Sequence, residues 1–259
     1  MGKYFFIKLA SVLLIITTVL VIYRIHVFQS KITNIYKYSE IQIPLNNKIT
    51  QNDNALKNIS IKDENNNNID TYVFLSASGK TLMINPPIDG FYENSKILIT
   101  INKNDTLYFK VKTGNSITLS KSIRKPEYGD IIGTTGRFMG YEYDHYGIYV
   151  GNNKVIHYCS STGNAKDAEI QETDMEPYFK EKNYFILNIK GTVEFNSYET
   201  VKRAETRLGE KSYNLLQNNC EHFVIWAKTG NSESLQLENL SEKELVQVKM
   251  FTAMGINLQ

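Results

Sequence analysis

The 259-residue sequence predicts an α+β chain in three parts. Three observations predict it: an apolar run near the start, a middle region of short strands parted by polar turns, and a later region where strands precede two short helices, the second opening on a cysteine. Tyr4 to Tyr23 carries one charge, Lys8, and twenty helical residues at about 1.5 Å each would cover the roughly 30 Å of a bilayer core. No small-x-small cleavage site follows at Ile22-Tyr23-Arg24-Ile25-His26, so residues 4–24 are expected to be an uncleaved transmembrane signal anchor. Lys3 and Lys8 on one side compete with Arg24, Lys31 and Lys37 on the other, so charge leaves the orientation open.

Residues 36–113 read as an all-β sandwich. Strand-like runs at Ile41–Ile43, Asn58–Ile61, Thr71–Leu75, Thr81–Ile84, Lys96–Ile101 and Leu107–Val111 alternate with polar turns, among them Asp63–Asn68, expected as an exposed hairpin tip. The region holds no histidine or cysteine, which argues for a stalk or docking module rather than a second enzyme. Residues 114–125 are expected to be a linker, and 126–259 a catalytic domain.

In that last part, Asp144–Val150 and Lys154–Tyr158 flank a Gly151-Asn152-Asn153 turn. A two-residue loop would set Ile148 opposite His157 and send the histidines to opposite faces. A three-residue loop sets Gly147 opposite His157 and makes His145 its diagonal neighbour on one face, and this register is the expected one. Ser197 is expected to cap a helix with Val201, Ala204 and Leu208 on one face, stopped by Gly209. Asn218 or Asn219 would cap a second, running from Cys220 through Val224-Ile225-Trp226-Ala227 to a left-handed Gly230. A cysteine at a helix N-terminus is expected to have its pKa lowered from about 8.5 toward neutrality. His222, two residues on, should face elsewhere, so Cys220 is expected to join His145 and His157 by its helix packing against their face. The tail from Ser241 reads as a packing helix with Leu245, Val248 and Phe251 or Thr252 at helical spacing.

Composition excludes other classes. Basic and acidic residues number 29 and 27, which gives no electrostatic case for nucleic acid. Two cysteines make no disulfide scaffold, and Cys159 is read as a strand-end thiol, although a Cys159–Cys220 disulfide would silence the site. With no phosphate-cradling glycine loop and no metal-ligand cluster, neither cofactor nor metal is expected.

Gly129-Asp130-Ile131-Ile132, Tyr143-Asp144-His145-Tyr146-Gly147-Ile148-Tyr149-Val150-Gly151, Val155-Ile156-His157 and Tyr213–Phe223 with its Asn219-Cys220-Glu221-His222-Phe223 signature together resemble the lecithin:retinol acyltransferase-like family. That resemblance implies a permuted papain-like, NlpC-type fold, with Cys220 as nucleophile, His145 as general base, His157 orienting it, and Tyr143 helping to hold the oxyanion. An insertion-like Phe138–Tyr141 leaves Arg137 unmatched to the family's arginine. Ile41-Gln42-Ile43-Pro44-Leu45 and Asn85-Pro86-Pro87 resemble bacterial surface-protein Ig-like domains, which implies an extracytoplasmic location and envelope components as partners. The expected activity is acyl transfer or hydrolysis on membrane lipid acyl esters through an acyl-thioester. A cell-wall peptidase or amidase of NlpC type and a non-catalytic envelope binding module are the alternatives.

Overall fold

The computed structural model describes residues 32–45, 56, 58–101, 105–114, 116–138, 141–162, 164–181, 183–191 and 195–253. They form a sheet-rich α+β fold with few helices. The first seven strands are β1 (Thr33–Tyr36), β2 (Ile41–Pro44), β3 (Ile59–Asp63), β4 (Tyr72–Leu75), β5 (Thr81–Asn85), β6 (Lys96–Ile101) and β7 (Asp105–Lys112). They make a four-stranded sheet in the order β1-β7-β6-β3 and a three-stranded sheet in the order β2-β5-β4. Ile35, Ile61, Ile97, Ile99 and Val111 of the first sheet share one core with Ile41, Ile43, Leu82 and Ile84 of the second. Alternation explains the pairing: in β2, Ile41 and Ile43 are buried while Gln42 and Pro44 face out. The asparagine-rich turn is an exposed hairpin tip, held by Asp63, whose Oδ1 accepts the Asn65 and Asn67 amides at 2.9 and 2.8 Å.

The second half contributes β8 (Ile117–Ser122), β9 (Ile131–Phe138), β10 (Tyr141–Gly151), β11 (Lys154–Cys159), β12 (Glu169–Asp174) and β13 (Tyr184–Gly191), in one sheet ordered β12-β11-β10-β9-β13-β8. Strand β8 lies within the stretch read as a linker. It pairs antiparallel with β13 from Ile117↔Gly191 to Ser122↔Ile186, so half of that stretch is the sheet's edge rather than a spacer. Helices α1 (Ser197–Glu205) and α2 (Cys220–Thr229) cover one face, and α3 (Leu235–Glu238) and α4 (Glu242–Ala253) follow. Asn196, not Ser197, caps α1 in a reciprocal capping box with Glu199, and the helix ends at Thr206, ahead of Gly209. Val201 and Ala204 of α1 and Phe223 to Ala227 of α2 pack onto Tyr146, Ile148, Ile156 and Tyr158. On the other face Ile132, Tyr149 and Val155 meet Met175 and Phe179.

The two sheet systems meet through main chain and buried charge. Ser39 bridges to Asn231, and the Ser232 N–H donates to Tyr38 O at 2.7 Å. The expected single-pass membrane placement is corrected: among the described residues no helix is long and apolar enough to cross a membrane. The 4–24 segment that suggested it lies outside the described residues.

Candidate active site

The hairpin β10–β11 sets the positions of both histidines. Asn152 and Asn153 adopt φ of 51° and 56°, the left-handed region that asparagine tolerates, and close a two-residue turn between Gly151 and Lys154. An irregularity between Tyr149 and Gly151 then shifts the register by one, so that Gly147 faces His157. The turn is thus one residue shorter than the three-residue loop expected, and the bulge restores the register that loop would have given. Gly147 is required there. A Cβ on it would stand 2.4 Å from Val155 Cγ1 and 3.0 Å from His157 Cβ.

His145 and His157 share a face, with His145 Nε2 and His157 Nδ1 2.8 Å apart. The surrounding bonds define the proton arrangement. The Thr173 hydroxyl donates to Asp174 O, so its oxygen accepts from His157 Nε2–H at 2.9 Å. His157 Nδ1 therefore carries a lone pair, His145 Nε2–H donates to it, and His145 Nδ1 is left as the acceptor. Phe179 stacks on His145 with ring centroids 5.5 Å apart and stands edge-on to His157, holding both rings from the side.

Cys220 opens α2 as expected. Asn219 Oδ1 accepts the Glu221 and His222 amides, and Gly230 ends the helix at φ 84°. His222 completes the capping box, its Nδ1 accepting the Asn219 N–H at 3.3 Å. The expected packing of α2 on the histidine face is corrected. By strand alternation Tyr146, Ile148, Ile156 and Tyr158 face α2, so His145 and His157 lie on the opposite face with Phe179. The sulfur meets them at an opening in the sheet. Pairing of β10 with β11 stops at Gly147↔His157; beyond it β10 stays with β9 as far as Tyr141, and β11 with β12 as far as Cys159. Cys220 Sγ sits at this divergence, 3.9 Å from Asp144 O and accepting from the Tyr146 N–H, the backbone groups on either side of His145. With the Glu221 and Cys220 amides, these are backbone partners; no imidazole is among the polar partners of the sulfur in the described residues.

A cavity of about 850 Å³ opens here, lined by Cys220, His145, Tyr143, Cys159, Tyr213 and Leu240 among others. His157 stands behind His145, outside the lining. Tyr143 packs over Gly136, where an added Cβ would lie 2.8 Å from its ring. Burial raises the Tyr143 pKa, and ionisation of the nearby Cys220 at high pH would raise it further. Cys159 is a buried free thiol in the same lining, its pKa raised by burial.

The expected thiolate is also corrected. Burial pushes the Cys220 thiol up from 9.0 to about 12, and although the Tyr146, Glu221 and Cys220 amides pull the other way, desolvation outweighs them. Burial takes His145 from 6.5 down to about 4, and His157 well below its ordinary value. The resting pair is a neutral thiol beside a neutral imidazole.

Gln236, which the sequence did not single out, ties the helix to the histidine strand together with Glu221 of the signature. Gln236 Oε1 accepts the Asp144 N–H at 2.7 Å and its Nε2 donates to Asp144 O at 3.2 Å, while Glu221 Oε2 accepts the Gln236 amide at 3.1 Å. Among the described residues no group of three or more His, Cys, Asp or Glu side chains is placed to hold a metal.

Residues 124–233 match the family model described as lecithin retinol acyltransferase. Over 120 residues the chain is 31% identical to the mouse lecithin retinol acyltransferase, covering 36% of this chain and 52% of the relative. It is 28% identical to the human one over 124 residues, 38% of this chain and 54% of the relative. The human protein named phospholipase A and acyltransferase 4 is 26% identical over 148 residues, 51% of this chain and 85% of that protein. The chain spans about half the length of the lecithin retinol acyltransferases it matches. The matched segment carries Tyr143, His145, His157 and Cys220 and folds as antiparallel sheet backed by the cysteine helix; residues 124–233 are the part of this chain that is similar to the lecithin retinol acyltransferase family.

Proposed function

We propose that this chain is a thiol-dependent acyltransferase or acyl hydrolase of phospholipase type, acting on lipid acyl esters through Cys220. The observation that carries the reading is the placement of the Cys220 sulfur against the backbone on both sides of His145, at the mouth of a cavity that both residues line. Because thiol and imidazole are both neutral at rest, sulfur attack on the carbonyl is coupled to transfer of its proton to His145 Nδ1. The C–S bond forms as the carbonyl π bond gives its pair to oxygen. The Cys220 N–H, with the Tyr143 hydroxyl, holds that oxyanion. Its collapse expels the alcohol, which takes the proton from His145 and leaves an acyl-thioester. Water or a second acceptor then gives its proton to His145 and attacks the thioester, and the proton returns to the Cys220 sulfur as it leaves. His157 and Thr173 keep His145 in the tautomer this needs.

The names of the relatives support the acyltransferase and phospholipase class. The finer fold reading is ours as well: an Ig-like module over 36–113, and a permuted papain-like domain that takes in Ile117–Ser122 ahead of residue 126. Envelope components remain the proposed partners of the first module. Incubating the full chain with labelled phospholipid should give an intact mass increased by one acyl chain on Cys220, and Cys220→Ala should show none. Release of peptide from peptidoglycan fragments with no acyl adduct would replace this reading with the cell-wall one.

A further inference from the structure

Past the segment that matches the family, the chain returns to the site. Leu237 of α3, Leu240 in the following turn, and Glu244, Gln247 and Val248 of α4 form one wall of the cavity into which Cys220 and His145 open. Leu240 and Val248 are half-buried yet belong to none of the apolar cores, so the side they cover is the cavity's. Val246 and Met250 of the same helix are about half exposed on its outer side. Tyr158, Tyr178, Tyr213 and Leu215 line the cavity too, and the exposed lining is mainly apolar. Its carboxylates are Glu142, Asp144 and Glu244, and among the described residues no lysine or arginine lines it.

We propose that this wall is an acyl-chain slot: Leu237, Leu240 and Val248 hold the hydrocarbon chain of the acyl group bound to Cys220, and so set the chain length the enzyme accepts. The inference rests on the acyl-transfer reading and names its substrate portion. Chain and chemistry must share this space, since the thioester carbonyl is fixed at the sulfur and the cavity is where the sulfur opens. A phosphate headgroup finds no cation in the lining, whereas methylenes find an apolar wall at a volume usual for small-molecule sites. Each methylene that moves from water into such a wall contributes up to about fourfold in binding.

The test uses the full chain and p-nitrophenyl esters from acetyl to dodecanoyl. Wild type is expected to gain up to about fourfold in kcat/KM per methylene through the shorter esters, and Val248→Trp, which fills the slot, to cut the dodecanoyl-to-acetyl ratio at least tenfold. Leu240→Gln gives the same direction through polarity instead of bulk, and Val246→Gln, on the outer side of α4, should keep the wild-type ratio. A flat wild-type series, or a ratio retained in both slot variants, overturns the proposal. If no ester is turned over, or Cys220→Ala turns them over equally, the acyl-transfer reading fails. The slot is then read by cis-parinaric acid fluorescence: binding weakened tenfold or more by Val248→Trp supports it, and no binding, or binding unchanged by the variant, overturns it.

Discussion

Cys220 shows which of two opposed effects governs a thiol at a helix end. The amides and dipole of the first turn favour a thiolate, typically by a fraction of a kcal/mol to about 2 kcal/mol. Desolvation acts against it and dominates here, so the thiol lies near 12. In a Cys159→Ser background the iodoacetamide rate at Cys220 should rise about tenfold per pH unit from pH 7 to 10 without levelling, and kcat/KM should hold from pH 8 to 5 and fall as His145 protonates near 4. A plateau in alkylation near pH 7 would mean a stabilised thiolate and sink the neutral pair. The raised folded pKa also links to stability: this contribution is fully present below about pH 9, the ordinary thiol value, and is lost as pH climbs toward 12. The signature residues and their order were legible in the sequence. The pKa was not, because the residues packed in one core with the sulfur, such as Tyr146 and Tyr213, come from separate elements whose packing no local pattern specifies.

At the scale of elements, the hairpin carries the geometry and its glycine is the weakest point. Gly147→Ala would force a methyl into the Val155 side chain and the His157 Cβ, an overpacking that should cost about 1–3 kcal/mol in urea unfolding and part the two rings. Unchanged stability together with unchanged acyl transfer would show that the hairpin absorbs the methyl. The register was readable from Gly-Asn-Asn, although it is reached by a tight turn plus a bulge. The face was misread for a physical reason the sequence does contain: Tyr146, Ile148, Ile156 and Tyr158 form the apolar row, and a helix as apolar as Phe223–Ala227 packs on that row. The same alternation puts the histidines on the other side. What alternation does not reveal is that β10 and β11 part company just there.

For the whole molecule, the seam between the two sheet systems is built from buried charge. Arg207 donates to Glu210 and to Glu40, with side-chain exposures of 2%, 1% and 0%, and to Asn218 Oδ1 at 2.9 Å. Asn218 in turn donates to Tyr158 and Glu210, and Asn85 of β5 donates to Gln217 O at 2.6 Å, two and three residues before the nucleophile's helix. Burial raises the Glu40 pKa more than Arg207 lowers it, while Glu210 and Glu40 keep Arg207 charged against its own burial. Arg207→Met should therefore cost about 3–5 kcal/mol, since it leaves two carboxylates buried without their ion-pair partner, and urea curves would read the loss. A change under about 1 kcal/mol would mean that the seam carries no such network. Because Glu40 and Asn85 belong to the first system and Arg207 to the second, the wild type should unfold in one transition. None of these long-range partners was foreseeable, since residues 167 positions apart leave no periodic trace.

The parted strands have one more consequence. Where β11 leaves β10, the width of the catalytic mouth is defined by main chain, with the Asp144 carbonyl and the Tyr146 amide as its sill. Trimming side chains can reshape the room behind that doorway, but the doorway itself yields only to insertions or deletions in the hairpin.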